Sequence, residues 1–361
     1  MSPNTTFRIP REQTVILQAS GGVLQVTPSQ RLPETGPHQL LVKTLAVTLN
    51  PCDWKTPIKF PTEGSWCGCD FTGTVVSLGT NVERFQVGDM VFGACKGSSL
   101  TNLQSGAFAE YLAADADYTF HTPEGMGAAQ AAAMCGTAIA TLATAFYTLG
   151  PIPGEIGAPE KLDSVESVLV YGGSSSVGLM AIQLIKLMGH EVVTTCSPHN
   201  FDLVKSYGAD AVFDYHSPTC AEDIKTYTRN RLRMAIDPFG EVRTLSISQT
   251  AIGRAGGRYV AFEKYDTSLC VRKTVNHTLV MAAAVDGLGV DMPEPYGREP
   301  DPKLRQWTMS FYQRLDELVS QGKLQPCPVQ MLQGGWEGII KGLDLLRQRA
   351  VSGRKLVALI P

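Results

Sequence analysis

The sequence predicts an α/β protein of two domains, a β-rich domain followed by a doubly wound parallel sheet. The chain has 361 residues, of which 43% are hydrophobic, a length typical of two cores. Residues 14–120 alternate short β-rich segments with turn residues, whereas apolar strands alternate with helices from residue 166 onward. The net charge of −3 is unlike that of nucleic-acid or anionic-membrane binders, so we expect small molecules or proteins as partners.

The first part of the chain predicts a closed β-structure. Segments such as HQLLVKTLAVTLNP, FQVGDMVFGAC and GAFAEYLAADAD are short, β-rich and separated by turns, without long helical periods. The alanine-rich and apolar residues 125–150 predict one largely buried helix or a pair of them. Residues 150–163 are rich in proline and glycine, which is typical of a linker.

The start of the chain and its cysteines indicate a cytoplasmic protein. MSPNTTFRIPREQTVIL lacks the apolar run of a signal peptide, and the chain has no uninterrupted apolar stretch of the length that a membrane span requires. The nine cysteines are scattered, odd in number and without repeated CxxC pairs, which favours reduced thiols.

The second domain is predicted from five apolar strands in SVLVYG, EVVTTC, AVFDY, MAIDP and GRYVAF. Continuous apolar strands alternating with helices indicate a parallel sheet covered on both faces. After the turn-rich residues 285–302, amphipathic helices are predicted over 303–322 and 335–349. A lone strand is not stable, so we place the final RKLVALI back in the first domain. The predicted domains are therefore 1–160 and 161–300, with 301–361 returning to the first.

The turn GGSSSVG, residues 172–178, joins the first strand of the second domain to a helix. Backbone N–H groups and the positive end of the helix can converge there on a phosphate. Gly172 and Gly173 suit the tight exit from the strand, and Gly178 suits close packing of helix on sheet. The three serines between them are small and can offer hydroxyls to phosphate oxygens. A plain turn without ligand is the alternative.

The second strand of this domain ends at CSPHN, residues 196–200, where the type of cofactor can be inferred. A carboxylate at this point would bind the ribose hydroxyls of NAD and repel the extra phosphate of NADP. Ser197, His199 and Asn200 are neutral or can become positive, so the segment favours NADPH. Alternatively, Ser197 or Asn200 caps the following helix, which is compatible with binding.

Several longer strings carry a resemblance to a known family. LNPCDWK, GCDFTGTVVSLGTNV, FQVGDMVFG and GAFAEYL resemble the quinone-reductase branch of the medium-chain dehydrogenase/reductase superfamily. VLVYGGSSSVG, TCSPHNFDLVKSYGADAVFDY, AIGRAGGRYV and PYGRE resemble, within it, the trans-acting enoyl reductases of fungal highly reducing polyketide synthases, the lovastatin enoyl reductase type. The resemblance covers essentially the whole chain.

This resemblance implies a GroES-like β-rich catalytic domain and a Rossmann domain that binds NADPH. It also implies an enzyme of secondary metabolism that reduces the α,β-double bond of a polyketide intermediate. The intermediate is held as a thioester on the acyl carrier domain of a partner synthase, or of a hybrid of synthase and peptide synthetase.

Site residues follow from the resemblance position by position. The implied cofactor contacts are Pro51, Cys52, Asp53, Trp54, Lys55, Ser174, Ser175, Ser176, Val177, Ser197, Pro198, His199, Asn200, Tyr215, Ala261, Phe262, Val351 and Ser352. The implied substrate channel consists of Cys135, Gly136, Thr137, Ala138, Ile139, Ala140, Thr141, Leu142, Met281, Ala282, Ala283, Ala284 and Val285.

Lys55 is the candidate catalytic residue. Its ammonium can hydrogen-bond the nicotinamide ribose, stabilise an enolate, or protonate the α-carbon if burial lowers its pKa. An ordinary exposed lysine is the alternative. Asp53, in the same segment, can cap a short helix as readily as it can touch substrate.

We expect no metal. Alcohol-oxidising members of the superfamily need a catalytic zinc, but Asn50 stands at the first ligand position and supplies no thiolate. Cys69 and Cys135 fall near two further ligand positions of those relatives. A zinc site requires three or four converging soft ligands. The stretch 88–115 contains only Cys95, so the four-cysteine structural lobe is missing. The cysteines are better interpreted as small buried residues.

Two other functions stay open at this stage. One is a stand-alone quinone or alkenal reductase, with the same hydride chemistry on free substrates, and the other is a cofactor-binding protein without turnover. Docking of an acidic carrier domain would need local positive charge, which Arg254, Arg258, Lys264, Arg272 and Lys273 can supply unless they are an ordinary solvated face.

The predicted oligomeric state is a monomer. Relatives dimerise by pairing the edges of their nucleotide-domain sheets, but DGLGVDMPEPYG, residues 286–297, follows the last strand here. Its prolines lack the N–H donors that a ladder of strands requires.

Overall fold

The structure is a computed structural model that describes residues 7–150, 156–158 and 164–361. Most of the predicted linker therefore lies outside the described residues. The residues up to Thr137 group with Leu315–Pro361 into a first unit, and Ala138–Arg314 form a second. These boundaries differ from the predicted ones because the helices Gly136–Leu149 and Pro302–Ser320 each run through a division between units.

The first unit contains the predicted β-rich domain and the returning end of the chain. Its strands are β1 Glu12–Gln18, β2 Leu24–Arg31, β3 Gln39–Thr48, β4 Asp70–Leu78, β5 Met90–Ala94, β6 Tyr111–Asp115, β7 Thr119–His121, β14 Val329–Met331 and β15 Lys355–Leu359. A seven-stranded sheet runs β14-β15-β3-β4-β5-β7 with β6 also paired to β3, and β1 pairs with β2. β15 lies antiparallel to β3, which confirms the placement of RKLVALI.

The helices of the first unit lie against this sheet. They are α1 Pro51–Lys59, α2 Ala128–Ala132 and α9 Gly335–Arg347. Ile339 and Leu343 on α9 join Leu49 and Phe71 in one buried core, as the predicted amphipathic pattern over 335–349 requires. The return of the chain end thus completes the core of the unit in which the chain began.

The second unit is the predicted parallel sheet with helices. Its strands are β8 Ser167–Val170, β9 Glu191–Cys196, β10 Ala211–Asp214, β11 Met234–Asp237, β12 Gly257–Ala261 and β13 Val275–Leu279, in the order β10-β9-β8-β11-β12-β13. Every pairing in it is parallel. The order reverses between β8 and β11, and ligands bind at the carboxyl ends of strands at such a switch point.

The helices of this unit include α4 Ser176–Leu187, α5 Phe201–Ser206, α6 Cys220–Tyr227 and α7 Val242–Ala251, with α3 Gly136–Leu149 and α8 Pro302–Ser320 crossing between the units. Five of the six strands coincide with the five predicted apolar segments. β13 was not among them, because VNHTL is polar and lies at the sheet edge with Asn276 exposed.

Residues 125–150 form a pair of helices, one of the two predicted arrangements. The break lies at Cys135, whose φ is +59°, a left-handed conformation that ends α2 before α3 begins. The stretch Ala128–Leu149 is long and apolar enough to cross a membrane, but 83% of its most apolar window is buried inside the protein, as in a core helix.

Candidate active site

The predicted phosphate turn has no room for side chains at its three glycines. A Cβ on Gly172 would lie 2.5 Å from the Phe239 ring, and one on Gly173 would lie 2.1 Å from Oγ1 of Thr194. A Cβ on Gly178 would lie 2.4 Å from the Gly172 carbonyl oxygen. Gly172 also has a φ of +69°. The predicted role of Gly172 in the strand exit is therefore confirmed, and Gly178 is required by the close approach of α4 to the turn itself.

The serines of the turn divide into two kinds. Ser175 is the N-cap of α4: its Oγ accepts a hydrogen bond from the Gly178 N–H at 3.1 Å and donates one to the Gly172 carbonyl at 2.8 Å. Its hydroxyl therefore holds the turn, a role that the sequence reasoning did not assign. Ser174 and Ser176 are half-buried beside the positive end of a twelve-residue helix that has no acid in its first turn, where an anion is favoured.

The carboxyl ends of β9 and β10 meet in a polar and aromatic cluster. The Oγ of Ser197 lies 3.0 Å from the hydroxyl of Tyr215, so two residues predicted to flank the adenosine are in contact. The Tyr215 ring centroid lies 6.0 Å from that of Tyr171. Neither Ser197 nor Asn200 makes a side-chain cap hydrogen bond, so the capping alternative lacks its expected contact.

Arg243 belongs to the same cluster and was missed by the sequence reasoning. It is an exposed residue in the first turn of α7, and its Nη2 donates to the Tyr215 carbonyl at 2.7 Å. It adds a cation to this cluster, in which β10 ends at Asp214 and the end of β9 carries no carboxylate between Cys196 and Asn200. The sequence signal that could have identified Arg243 is a basic residue soon after β11, the fourth strand of this sheet in chain order.

The end of β11 is organised by a buried carboxylate. Asp237 is fully buried and accepts hydrogen bonds from the Tyr259 hydroxyl at 2.7 Å, the Thr244 hydroxyl at 2.5 Å and the Phe239 N–H at 2.9 Å. Burial raises the pKa of Asp237 despite these bonds. The carboxylate thus fixes the loop that holds Phe239 against Gly172.

The backbone at the end of β12 is already partly used. The Val280 N–H donates to the Ala261 carbonyl at 2.9 Å, and the Phe262 N–H donates to the Asp237 carbonyl at 3.1 Å. The predicted cofactor contacts at Ala261 and Phe262 would therefore have to use other atoms, or share the Ala261 carbonyl and the Phe262 N–H with these partners.

The predicted nicotinamide-side segment of the first unit, 51–55, forms the start of α1. Asn50 is the N-cap, and its N–H donates to the carboxyl group of Asp53 at 2.7 Å in a capping box. Asp53 is only 2% exposed, and burial raises its pKa to about 7. The structure thus places Asp53 at the third position of α1, where its side chain completes the capping box, in line with the capping role that is one of its two predicted roles.

Trp54 and Lys55 follow on the same helix and are half-buried. The Lys55 Nζ lies 5.8 Å from the centroid of the Trp54 ring, within the range of a cation–π contact. The indole Nε1 of Trp54 is buried and has no hydrogen-bond partner among the described residues. An unsatisfied buried donor is rare, and it leaves Trp54 able to donate to a ligand.

A buried charge cluster lies beside the cap of α1, and it was not predicted. Asp70 is fully buried, and its carboxylate lies 3.2 Å from the Nζ of Lys355, which is 3% exposed. Asp70 also accepts from the Asn50 side-chain amide at 2.9 Å, the Thr48 hydroxyl at 2.8 Å and the Thr137 N–H at 2.6 Å. The Lys355 ammonium donates in turn to the side-chain oxygen of Asn50.

Both partners of this buried pair remain charged. Burial alone would raise the pKa of Asp70, but the Lys355 ammonium and the hydrogen bonds hold it below its usual value. Burial would likewise lower the pKa of Lys355, but Cys135 and Asp70 raise it. The predicted cofactor contacts Val351 and Ser352 lie shortly before Lys355, the first of them packed against the core.

The predicted substrate-channel residues differ in accessibility. Cys135, Ile139 and Leu142 are fully buried, and a Cβ on Gly136 would lie 2.3 Å from the backbone of Gly93. Of the stretch 135–142, only Thr137 is half-buried. In the stretch 281–285, the first three residues are half-buried and the last two are buried. The channel stays a prediction.

Comparison with known families places both units. Residues 36–124 match the family described as alcohol dehydrogenase GroES-like domain, and residues 176–272 match the one described as zinc-binding dehydrogenase. The chain is similar over 97% of its length to the crystal structure of CurK enoyl reductase, covering 99% of that chain with a TM-score of 0.73 at 19% identity. At this identity the likeness shows the fold, a GroES-like domain with a Rossmann domain.

Curated relatives are closer in sequence. The chain is 46% identical to the enoyl reductase cheB of Chaetomium globosum, over 98% of this chain and 95% of that protein. It is 44% identical to the trans-enoyl reductase ffsC of Aspergillus flavipes, over 99% of both. It is also 44% identical to the trans-enoyl reductase RAP1 of Pyricularia oryzae, over 97% of this chain.

The zinc implied by one of the family descriptions does not fit the residues at the catalytic ligand positions. The side-chain oxygen and amide of Asn50 are bonded to Lys355 and Asp70, respectively. The Cys135 thiol donates to the Ala133 carbonyl at 3.1 Å. The buried Lys355 ammonium already supplies a positive charge beside Asp70. Asn50 and Cys135 are therefore already engaged with other groups, and Asn50 has no thiolate to offer a zinc ion.

Proposed function

The chain belongs to the medium-chain dehydrogenase/reductase superfamily, among its fungal trans-acting enoyl reductases, and from that membership we propose that it uses NADPH to reduce a polyketide thioester carried by a partner synthase. It is a pyridine-nucleotide-dependent oxidoreductase that acts on a carbon–carbon double bond in secondary metabolism. The observation that carries the choice of cofactor is the cluster of Ser197, Tyr215 and Arg243 beside the end of β9, where residues 196–200 include no carboxylate.

The reaction fits a site without metal. The cofactor, when bound, supplies a hydride to the β-carbon of the enoyl group, and the resulting charge is delocalised onto the thioester oxygen. The chain then has to hold the two reactants in register and deliver a proton to the α-carbon. We assign cofactor contacts to the turn 172–178, to the segment 197–200 and to the segment 51–55.

The cofactor proposal is tested by the ratio of NADPH to NADH affinity. The resemblance assigns the 2′-phosphate to 197–200, and the side chains there are neutral or can become positive. We expect Ser197→Asp to weaken NADPH binding by about tenfold or more, because it sets a carboxylate against the extra phosphate. NADH binding should change much less. Wild-type preference for NADH, measured by fluorescence titration, would contradict the proposal.

Lys55 is proposed to position the cofactor or to donate the proton. We expect Lys55→Ala to slow reduction by about tenfold or more, and Lys59→Ala, an exposed lysine at the end of the same helix, to have little effect. A fall in kcat with unchanged NADPH affinity would favour the proton, and weaker NADPH binding would favour positioning. Unchanged turnover and unchanged affinity would remove Lys55 from the site.

The substrate class is tested by assaying NADPH oxidation with four substrates in parallel. These are an enoyl thioester on an acyl carrier domain, an enoyl-pantetheine thioester, a quinone and an alkenal. We expect the carrier-bound thioester to be the best substrate. Preference for the quinone or the alkenal would favour the alternative, a stand-alone reductase.

The predicted basic docking patch needs revision, because Arg272 has a structural role. Its guanidinium donates to the carbonyls of Gln249 and Ile252 at 2.6 Å and to that of Gly253 at 2.7 Å. These carbonyls lie at and just beyond the C-terminal end of α7, where cations are favoured. Reversal of this charge would disturb the fold and is not a test of docking.

The other basic residues of the patch do not share one end of the sheet. Arg254 and Lys273 precede β12 and β13, whereas Lys264 follows β12, and a five-residue strand spans about 16 Å. We propose docking on the side of Lys264, since ligands bind at the carboxyl ends of such sheets. Lys264→Glu should slow reduction of carrier-bound substrate and spare the pantetheine thioester, with Arg254→Glu as the matched control. If Lys264→Glu and Arg254→Glu reduced the carrier-bound substrate at equal rates, docking on the side of Lys264 would be contradicted.

The structure also supports a monomer, which we propose. β13 is the edge strand of its sheet, and the Nη2 of Arg298 donates to the Leu279 carbonyl at its end at 2.6 Å. Between Leu279 and Arg298 the chain folds back on itself, and Val290 forms an antiparallel bridge with Arg298. The chain itself thus uses part of the edge that a second copy would need, and sedimentation velocity tests the state. The nine free thiols support the proposed cytoplasmic location.

A further inference from the structure

Three ligand atoms of the first unit converge beside the positions used by zinc-dependent relatives, with which they have only Cys69 in common. Cys52 and Asp53 lie in the first turn of α1, and Cys69 lies just before β4. Their Sγ, carboxylate and Sγ atoms all lie within 4.8 Å of one another. The two Sγ atoms are 3.8 Å apart, and the Cys52 Sγ lies 3.9 Å from Oδ1 of Asp53.

These separations are close to the edges of a tetrahedral metal site. With a Zn–S bond of about 2.3 Å and a Zn–O bond of about 2.1 Å, tetrahedral geometry places two sulfurs about 3.8 Å apart and a sulfur and an oxygen about 3.6 Å apart. A disulfide would instead require the two sulfurs to approach to about 2.05 Å. The thiols are thus too far apart for a disulfide, and their spacing, at which one thiol can also hydrogen-bond the other, fits a bridging metal.

We propose that Cys52, Asp53 and Cys69 bind one soft divalent cation, Zn²⁺ or Cd²⁺, with a fourth position left to water. Both thiols are half-buried, so an ion can reach them. Binding replaces the two thiol protons, which pass to solvent. Because Asp53 accepts the Asn50 N–H through Oδ2, its Oδ1 can turn to the metal while the cap of α1 is kept.

This donor set differs from the catalytic one of zinc-dependent relatives. The two sets share Cys69, but Asn50 and Cys135 are replaced by Cys52 and Asp53. The positive charge of Lys355 acts on Asp53 and so opposes any cation, which only strong metal–thiolate bonds can offset. We therefore expect soft ions to bind and Mg²⁺ or Ca²⁺ to be rejected.

The test uses the full chain, reduced and freed of metal with a chelator, and titrated with Cd²⁺ in the absence of cofactor. We expect one ion per chain by equilibrium dialysis and an ultraviolet thiolate-to-cadmium charge-transfer band. Cys52→Ser should weaken binding by about tenfold or more and reduce the band, to which only the Cys69 thiolate would then contribute. Cys270→Ser, a half-exposed thiol in the second unit, should change neither.

A second variant separates ligation from damage to the fold. Asp53→Asn keeps an oxygen acceptor for the Asn50 N–H, so α1 should stay capped; it should keep the band and weaken binding. Circular dichroism should be the same for all variants. Binding and a band that survive unchanged in Cys52→Ser, or the absence of a band in the wild-type chain, would overturn the proposal. None of these readouts depends on enzymatic activity, so the proposed reductase function can fail without affecting them.

Discussion

The phosphate turn of the second unit and the Asp70–Lys355 cluster of the first unit are built in opposite ways. The turn is made from seven consecutive residues, and contacts shorter than 3 Å to neighbouring atoms forbid a Cβ on each of its glycines. The cluster joins Thr48, Asn50, Thr137 and Lys355 around Asp70. The turn should therefore be sensitive to volume, and the cluster should be sensitive to charge.

The largest effect is expected from removing the buried cation. Lys355→Met keeps most of the side-chain volume but leaves the Asp70 carboxylate buried without its counter-ion, so we expect the free energy of unfolding to fall by about 3–5 kcal/mol. Urea denaturation of the full chain measures it.

The double variant tests whether the cost comes from charge. Lys355→Met with Asp70→Asn should be more stable than Lys355→Met alone, because no buried charge remains. Lys341→Met, an exposed lysine on α9, is the matched control. If the double variant were no more stable than Lys355→Met, the stability of the cluster would depend on packing and not on charge. The cluster would then be sensitive to the same property as the turn.

The next largest effect is expected from adding one methyl group to the turn. In Gly178→Ala the new Cβ would meet backbone atoms of Gly172 and Gly173 at 2.4–2.8 Å, so we expect a loss of about 1–3 kcal/mol from overpacking. NADPH affinity should fall with it, since the turn and α4 must move apart. Gly127→Ala, whose nearest atom lies 3.9 Å away, is the control. It should leave NADPH affinity unchanged and cost less stability than Gly178→Ala, because it changes only the N-cap of α2.

The same contrast explains what could be predicted. The turn and the β-strands 167–170 and 191–196 follow from local patterns, because adjacent residues make them. The place of the last strand follows instead from the rule that a lone strand is not stable. No local pattern joins Asp70 to Lys355, which are brought together by the pairing of β15 with β3 and of β3 with β4. The only hint was a lysine at the start of an otherwise apolar strand, KLVAL.

The role of an individual serine was likewise beyond the sequence. GGSSSVG presents three similar hydroxyls, and only the backbone path shows that the one of Ser175 faces Gly178. Arg243 was missed for a related reason: its contact with Tyr215 requires the first turn of α7 to lie beside the segment that follows β10.

A smaller effect should separate the serines of the turn. Ser175→Ala removes the N-cap of α4 and should lower the free energy of unfolding by about 1 kcal/mol. Ser174→Ala should leave stability unchanged and weaken NADPH binding, if its hydroxyl meets phosphate as proposed. Thermal unfolding with and without NADPH distinguishes the two. If Ser174→Ala and Ser175→Ala lost equal stability, the proposed difference between a structural Ser175 and a phosphate-binding Ser174 would be contradicted.

The smallest effect concerns a second charge cluster of the first unit, which differs from Asp70–Lys355 in exposure. Asp316 accepts from Nη2 of Arg84 at 2.9 Å and from Nδ1 of His121 at 2.8 Å. The His121 side chain is 35% exposed. Its hydrogen bond to Asp316 raises the pKa of His121 above 6.5 although burial opposes this.

Because the folded-state pKa of His121 is the higher one, its contribution to stability is complete below about pH 6.5 and is lost as the pH rises through the folded value. Burial alone would raise the pKa of Asp316, but His121 and Arg84 lower it. Its own contribution is therefore present above about pH 4 and is lost as the pH falls through its lowered value.

Because solvent screens the half-exposed histidine, we expect the free energy of unfolding to fall by less than about 1 kcal/mol as the pH rises above 6.5. Urea denaturation from pH 6 to 8 should show this decline in the wild-type chain, and His121→Gln should remove it while leaving the decline at acid pH from Asp316 with Arg84. If the slope with pH were the same in His121→Gln, another group would be responsible. A decline in the free energy of unfolding several times larger would mean that exposure does not set the strength of these ion pairs. The half-exposed Asp316–His121 pair would then not differ in kind from the buried Asp70–Lys355 pair.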